Sequence, residues 1–373
     1  MRFFRPLFTL SIAAMVLLAA TTSHAQAQYS VHMLPLTTAV PGGLAMDYIA
    51  YDHTTGLVWA PAANTGTVYI VDTKTEDVKK LSGFATKEVE FRGNKRTLGP
   101  TAATVGKGVV YVGNRADGSV CAFDARTFTK GACGQLDSMP DGLAYVQPTG
   151  EVWVTTPRDH SIRILDATTL AQKAKLSFEG NPEGFAVDAK RHRFYTNLED
   201  KDRTLAIDLR THKTVSTWLP ACGSEGPHGL RTDTDRGLLF VVCDAKAEVL
   251  DSAHGGKILS SVDTGDGVDD LDYDANTHRL YVGAGKDAKL TIANVSRSGK
   301  LSILEQVPTR AGARNPVVSK NGTVYLAHSM SANLNDLVEA ERLRRGRGPL
   351  TRSAAVAQWS VSCVEQLSSG GRS

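Results

Sequence analysis

The chain has 373 residues, 42% hydrophobic and 22% charged, with 42 Lys and Arg against 39 Asp and Glu and a formal net charge of +3. That near balance argues against non-specific nucleic-acid binding as the main task. No stretch after residue 25 is apolar enough for the ~20 residues that a membrane-spanning helix needs.

Residues 1–25 read as a signal peptide: Arg2 and Arg5 start it, Leu7 to Ala20 is apolar, and Ser23-His24-Ala25 is a small-residue cleavage site. The expectation is an exported protein, periplasmic or secreted, with no membrane span left after cleavage. A retained N-terminal anchor is the alternative. The mature chain of about 345 residues exceeds the ~250–300 at which single cores stop growing.

From residue 47 to about 330 the chain repeats itself. MDYIAYD ends at Asp52, NPEGFAVD at Asp188, GPHGLRTD at Asp233 and GVDDLDYD at Asp274; MPDGLAYV and shorter versions at Thr101 and Asn315 bring the copies to seven. The key residues are Asp47, Thr101, Asp141, Glu183, His228, Asp269 and Asn315, so the steps are 54, 40, 42, 45, 41 and 46. An aromatic follows each by ten or twelve residues: Trp59, Tyr111, Trp153, Tyr195, Phe240, Tyr281 and Tyr325. Within a unit, β-branched runs alternate with Gly, Asn and Asp turns, and a third strand ends in Asp, as in TVYIVD, SIRILD and TLAID. A period of forty-odd residues made of short strands is the mark of a propeller blade. The expected fold is all-β: a seven-bladed β-propeller with four-stranded antiparallel blades over residues 29–338, closed by an N-terminal strand from Tyr29 to Leu36. The long first step predicts an extra hairpin or loop over Ala85 to Leu98. Residues 339–373, rich in Arg, Ser and Gly, are set apart as a disordered tail.

Five cysteines in an exported chain suggest disulfides. Cys121 and Cys133 fall on the third and fourth strands of one blade and are expected to pair. Cys222 and Cys243 both fall at one channel mouth and are expected to form the second bridge, leaving Cys363 over.

First strands line a propeller's channel, so the seven key residues should converge on one axis. Carboxylates brought so close repel one another unless protonated, hydrogen-bonded or bound to a cation. Oxygen ligands suit Ca²⁺ or Mg²⁺, and His228 adds Zn²⁺ or Mn²⁺. The plain reading is that the acids cap backbone N–H groups. The second Asp of each motif (Asp52, Asp188, Asp233, Asp274) is read as a turn residue, and the aromatics as packing between blades. Candidate ligand-binding residues at the mouth are Asp47, Asp141, Glu183, His228, Asp269 and Asn315, with Arg115 and Arg158 as grips for an anionic group. Glu183, Asp269, Asn197 and Asp141 form the candidate cation set.

The motifs Pro140-Asp141-Gly142, Pro182-Glu183-Gly184 and Pro227-His228-Gly229, the run Tyr195 to Asp200, and Trp218 to Cys222 followed by GPHGL and Cys243 resemble the YVTN-repeat seven-bladed propellers, in their exported YncE-like branch. The resemblance covers residues 40 to 330 and implies the fold, with no established catalysis. Three functions are weighed. The first is a monomeric binding module for a small molecule, polymer or protein. The second is a metal-dependent lactonase or lyase with His228 as acid/base. The third, single-stranded nucleic-acid binding, is disfavoured by charge. The binding module is preferred.

Overall fold

The computed structural model describes residues 29–36, 40, 43–91, 93–328 and 336–342. The stretch read as a signal peptide, Cys363 and all but 339–342 of the tail lie outside them. Among the described residues every regular element is a strand or a short 3₁₀ turn.

The strands form four-stranded antiparallel sheets arranged as propeller blades. Blade 1 runs from Ala50 to Ser82, blade 2 from Pro100 to Gln135 and blade 3 from Leu143 to Ser177. Blade 4 runs from Pro182 to Trp218, blade 5 from Pro227 to Asp263 and blade 6 from Val268 to Pro308. The expectation of a seven-bladed propeller is corrected here. Six blades are contiguous, each built from four successive strands. The remaining four-stranded sheet is a composite of both chain ends, ordered Tyr29–Pro35, Asp336–Arg342, Val324–His328 and Ala313–Val318. In it Tyr29 pairs with Arg342 and Pro35 with Asp336, so the strand continues through the first four residues set apart as tail. The long first step is a separate two-stranded ribbon, Lys87–Phe91 with Asn94–Leu98, between blades 1 and 2.

Burial explains the strand patterns. Middle strands are covered on both faces by neighbouring blades and read as continuous apolar runs: Leu239 to Val242 and Val68 to Val71 are all buried. Outer strands have one wet face and alternate, as Gln172–Ser177 does. The repeated aromatics carry the contact between sheets. Trp59 packs on blade 2 and Tyr111 on blade 3. Trp153 packs on blade 4, Tyr195 on blade 5 and Phe240 on blade 6. Tyr281 meets the composite sheet, and Tyr325 in that sheet returns to blade 1. Each such burial stabilises by ~1.5–3 kcal/mol.

The third strands end as their sequence requires. Asp72, Asp124, Asp166 and Asp208 each accept a backbone N–H two residues on, at 2.8, 2.9, 2.9 and 3.2 Å. Four residues on, Glu76, Phe128, Leu170 and His212 take left-handed φ near +60°. Both disulfides form: Cys121 with Cys133 across the two outermost strands of blade 2, and Cys222 with Cys243 in blade 5. No helix among the described residues is long and apolar enough to cross a membrane.

Candidate functional site

The inner strands are not regular where they begin. In blade 4, Pro182 pairs with Leu198 but Phe185 pairs with Thr196, so the strand bulges at Glu183-Gly184. The same shift occurs at His228-Gly229, Asp269-Asp270, Thr101 and Asn315. A bulge adds a residue that the ladder does not hold and turns its side chain off the sheet. Five of the seven key residues therefore sit where backbone geometry re-aims them. After Glu183 a glycine permits close approach: a Cβ at Gly184 would lie 1.9 Å from the His228 carbonyl oxygen.

The mouth is a chain of ion pairs. Arg115 of blade 2 contacts Asp141 of blade 3 directly and lies 2.9 Å from Asp47, which precedes blade 1. Arg314 of the composite sheet lies 3.8 Å from Asp47 and 3.0 Å from Asp269 of blade 6. Asn315 Nδ2 donates to Asp47 Oδ1 at 2.8 Å. The order is thus Asp141, Arg115, Asp47, Arg314, Asp269. The two guanidiniums stand between successive carboxylates, and Asp269 drives the Arg314 guanidinium to an even higher pKa than usual.

The remaining sector, blades 4 to 6, is built differently. Ligand atoms of Glu183, His228 and Asp269 all lie within 4.8 Å of one another. Burial, a hydrogen bond with the Glu199 carboxyl, and repulsion from Asp269 hold the Glu183 carboxyl well above its usual range. His228 Nδ1 is buried with no hydrogen-bond partner, as are Thr101 Oγ1, Asn315 Oδ1 and Arg314 Nε. Tyr48 lies beside the acids: burial, then the charges of Glu183, Asp269 and Asp47, push its hydroxyl up. Its ring centre is 6.0 Å from that of Phe185, and both line a channel cavity of about 300 Å³. Deeper, Arg231 reaches Asp270 at 2.9 Å and Asp272 at 3.3 Å. Burial still lifts Asp270 to about 6 against the opposing pull of Arg231.

The candidates thus separate. Asp47, Asp141, Arg115, Asp269 and Asn315 fall in one connected network, with Glu183 and His228 beside it. Arg115 grips two carboxylates of the protein itself, which corrects its reading as an anion grip. Arg158 is exposed on the turn Pro157–Asp159. The cation set needs correction too. Asn197 is fully buried; its Nδ2 donates to the His228 carbonyl at 2.6 Å and its Oδ1 accepts from Thr204 Oγ1 at 2.7 Å. It shapes the bulge, while Asp141 is bound to Arg115; His228 takes their place next to Glu183 and Asp269. The second motif acids are turn residues: Asp52, Asp188, Asp233 and Asp274 accept backbone N–H groups of Thr54, Arg191, Arg236 and Asn276 at 2.8 to 3.0 Å. Sequence reasoning missed Tyr48 and the bridging role of Arg314. Tyr48 had a signal: it stands where three other copies carry Gly142, Gly184 and Gly229.

No family model matches the chain, and no curated protein matches it in sequence. In three dimensions it is similar to β-propeller proteins. A streptogramin B lyase superposes with a TM-score of 0.66 at 14% identity, over 84% of this chain and 98% of that one. The hydrazine synthase of Kuenenia stuttgartiensis gives 0.66 at 15%, over 82% and 97%. The virginiamycin B lyase of Staphylococcus aureus gives 0.64 at 13%, over 84% and 99%. At these identities the likeness is one of fold.

Proposed function

We propose that this chain is an exported propeller of the YVTN-repeat, YncE-like branch, acting as a binding module that takes a cationic group at its channel mouth. The observation that carries the reading is the interrupted ring of charge. Arg115 and Arg314 lie between Asp141, Asp47 and Asp269, while among the described residues no arginine pairs with Glu183, whose carboxyl is held well above its usual range by burial, the Glu199 carboxyl and Asp269. A ligand cation there would favour the ionised carboxylate. The two disulfides suit an oxidising compartment. The acids at the mouth disfavour a polyanion such as nucleic acid.

A metal-dependent lactonase or lyase is the second reading, favoured by the spacing of Glu183, His228 and Asp269. A divalent ion there would polarise a carbonyl or activate water.

Thermal unfolding of the mature protein with chelator, then with Ca²⁺, Mg²⁺, Mn²⁺, Zn²⁺ or an organic ammonium or guanidinium salt, tests both. A cation at a hundred times its dissociation constant adds ~2.7 kcal/mol. A shift with any cation, abolished in Asp269→Asn, supports the cation site; a shift confined to divalent metals, with hydrolysis of a lactone, supports the enzyme. No shift with any cation overturns both.

A further inference from the structure

We infer that the cleft between blades 2 and 3 binds a small, flat aromatic acid, at a site separate from the channel mouth. The cleft holds about 700 Å³, within the ~300–1,000 Å³ of small-molecule sites. It is lined by Gly106, Gly150 and Asp124, at the opposite ends of the strands from the key residues. The repeat shows why there is room. Seven residues after the Asp that ends the third strand, blades 1, 2 and 3 carry Lys79, Gly131 and Lys173. Lys79 lays its ammonium 5.2 Å from the ring centre of Phe128 on the next blade, and the cleft it lines holds about 370 Å³. Lys173 pairs with the buried Glu151, which also accepts from Trp153 Nε1 at 3.0 Å. Blade 2 has Gly131 for the lysine, Val109 for the acid and Tyr111 for the tryptophan. The stem, the ion pair and part of an indole are missing together, and Ala122 and Ala132 line the space without filling it.

What remains suits a planar ligand. Tyr111 and Tyr145 both line the cleft, their rings nearly parallel at 7° with centres 6.0 Å apart. Tyr111 is fixed by donating its hydroxyl to the Ala167 carbonyl at 2.9 Å. Tyr145 is seated on Gly106, where a Cβ would collide with its ring. Aromatic faces held in place favour offset stacking of a further ring. The wall strand Lys130–Gln135 is tied down by the Cys121–Cys133 disulfide. The charged lining residues are Lys107, Lys130 and Asp124. Asp124 Oδ1 accepts the backbone N–H groups of Arg126 and Thr127 at 2.9 and 2.7 Å, so this carboxylate serves its own turn. Both lysines are exposed, and they give the cleft a positive balance that an anionic substituent complements.

The test is calorimetric titration of the mature, disulfide-intact protein with 2-naphthoate, 2-naphthamide and cyclohexanecarboxylate. Naphthoate should bind one to one, at least tenfold tighter than either of the others. In Gly131→Met, which returns an uncharged stem to the place of Lys79 and Lys173, naphthoate affinity should fall at least tenfold. An added Cβ at Gly131 meets its nearest atom at 3.6 Å, an ordinary contact, so the melting curve of this variant should be unchanged. In the double variant Lys107→Asn with Lys130→Gln, naphthoate should weaken to the level of naphthamide while naphthamide itself binds as before, a separation that a disturbed fold would not give. Asp269→Asn should bind naphthoate as the wild type does, so failure of the cation site at the mouth and failure of this site are told apart. No binding of naphthoate, equal binding of either analogue, or binding that survives Gly131→Met overturns the inference.

Discussion

Two sectors of one ring carry the same repeated motif and solve the same problem in opposite ways. From Asp141 round to Asp269 by way of Asp47, the acids are held apart by Arg115 and Arg314, charges the chain supplies itself. Among the described residues no arginine pairs with Glu183, and burial, the hydrogen bond with Glu199 and repulsion from Asp269 push its carboxyl up instead. Buried like charges cost too much to leave uncompensated. The first sector is therefore finished by the protein and stabilises it; the second is finished by a proton or by something that binds.

The largest effect should come from breaking the finished sector. Arg115→Met leaves Asp47 and Asp141 facing each other in a largely buried site. Loss of one partner from a buried pair costs ~3–5 kcal/mol, and the 24% exposure of Arg115 reduces this to about 2–4 kcal/mol. Urea unfolding at pH 7 reads it directly; an unchanged midpoint would mean that the arginine does not neutralise the acids.

A smaller loss should follow at Asp188, five residues from Glu183 on the same strand. Asp188 is fully buried, accepts the Arg191 backbone N–H at 2.9 Å and pairs with the Arg191 side chain at 2.9 Å. Asp188→Ala should destabilise by ~1–3 kcal/mol through an unsatisfied turn and a lost charged hydrogen bond. It should leave cation binding unchanged, whereas Asp269→Asn should not. Equal effects on binding would erase the distinction between the two acids of the motif.

The smallest effect is a titration. Carboxyl resonances should place Asp270 near 6, lifted by burial, and Asp208, held by backbone N–H groups of its turn, near 2. With Asp270 raised above its ordinary value, its protonated form stabilises the fold fully below about 4, and that contribution is lost as pH climbs through 6. A midpoint below 4 would mean that Arg231 outweighs burial.

The repeat made the architecture legible because packing is repetitive. Each aromatic meets the next sheet in the same way, and each third-strand Asp closes the same turn. Hence the strands, the turns, both disulfides and the convergence of the key residues could be read from residue spacing. The composite sheet departs from that regularity, since pairing of Tyr29–Pro35 with Asp336–Arg342 joins residues that share no motif, and the tail boundary was drawn through its strand. The site was only half legible. Position in the repeat says which residues reach the axis, but not which of them pair there. That depends on Arg314, one residue before its motif position, and on Arg115, from the end of a second strand. Asn197 looked like a ligand because its strand end points toward the channel; the bulge at His228 needs its amide instead.

The most direct test of the unfinished sector is the pH dependence of stability, in chelator, of the wild type against Glu183→Gln. Because the folded carboxyl titrates above its ordinary 4.5, the native state keeps a proton that the unfolded chain has lost, so the contribution of Glu183 to stability is full below 4.5 and is lost as pH rises. Gln removes that decline: the variant should match the wild type at pH 4 and unfold at a higher temperature at pH 8. Parallel curves, or a variant less stable at pH 8, would show that Glu183 is ionised and already compensated, and the account of an open charge in the ring would fall.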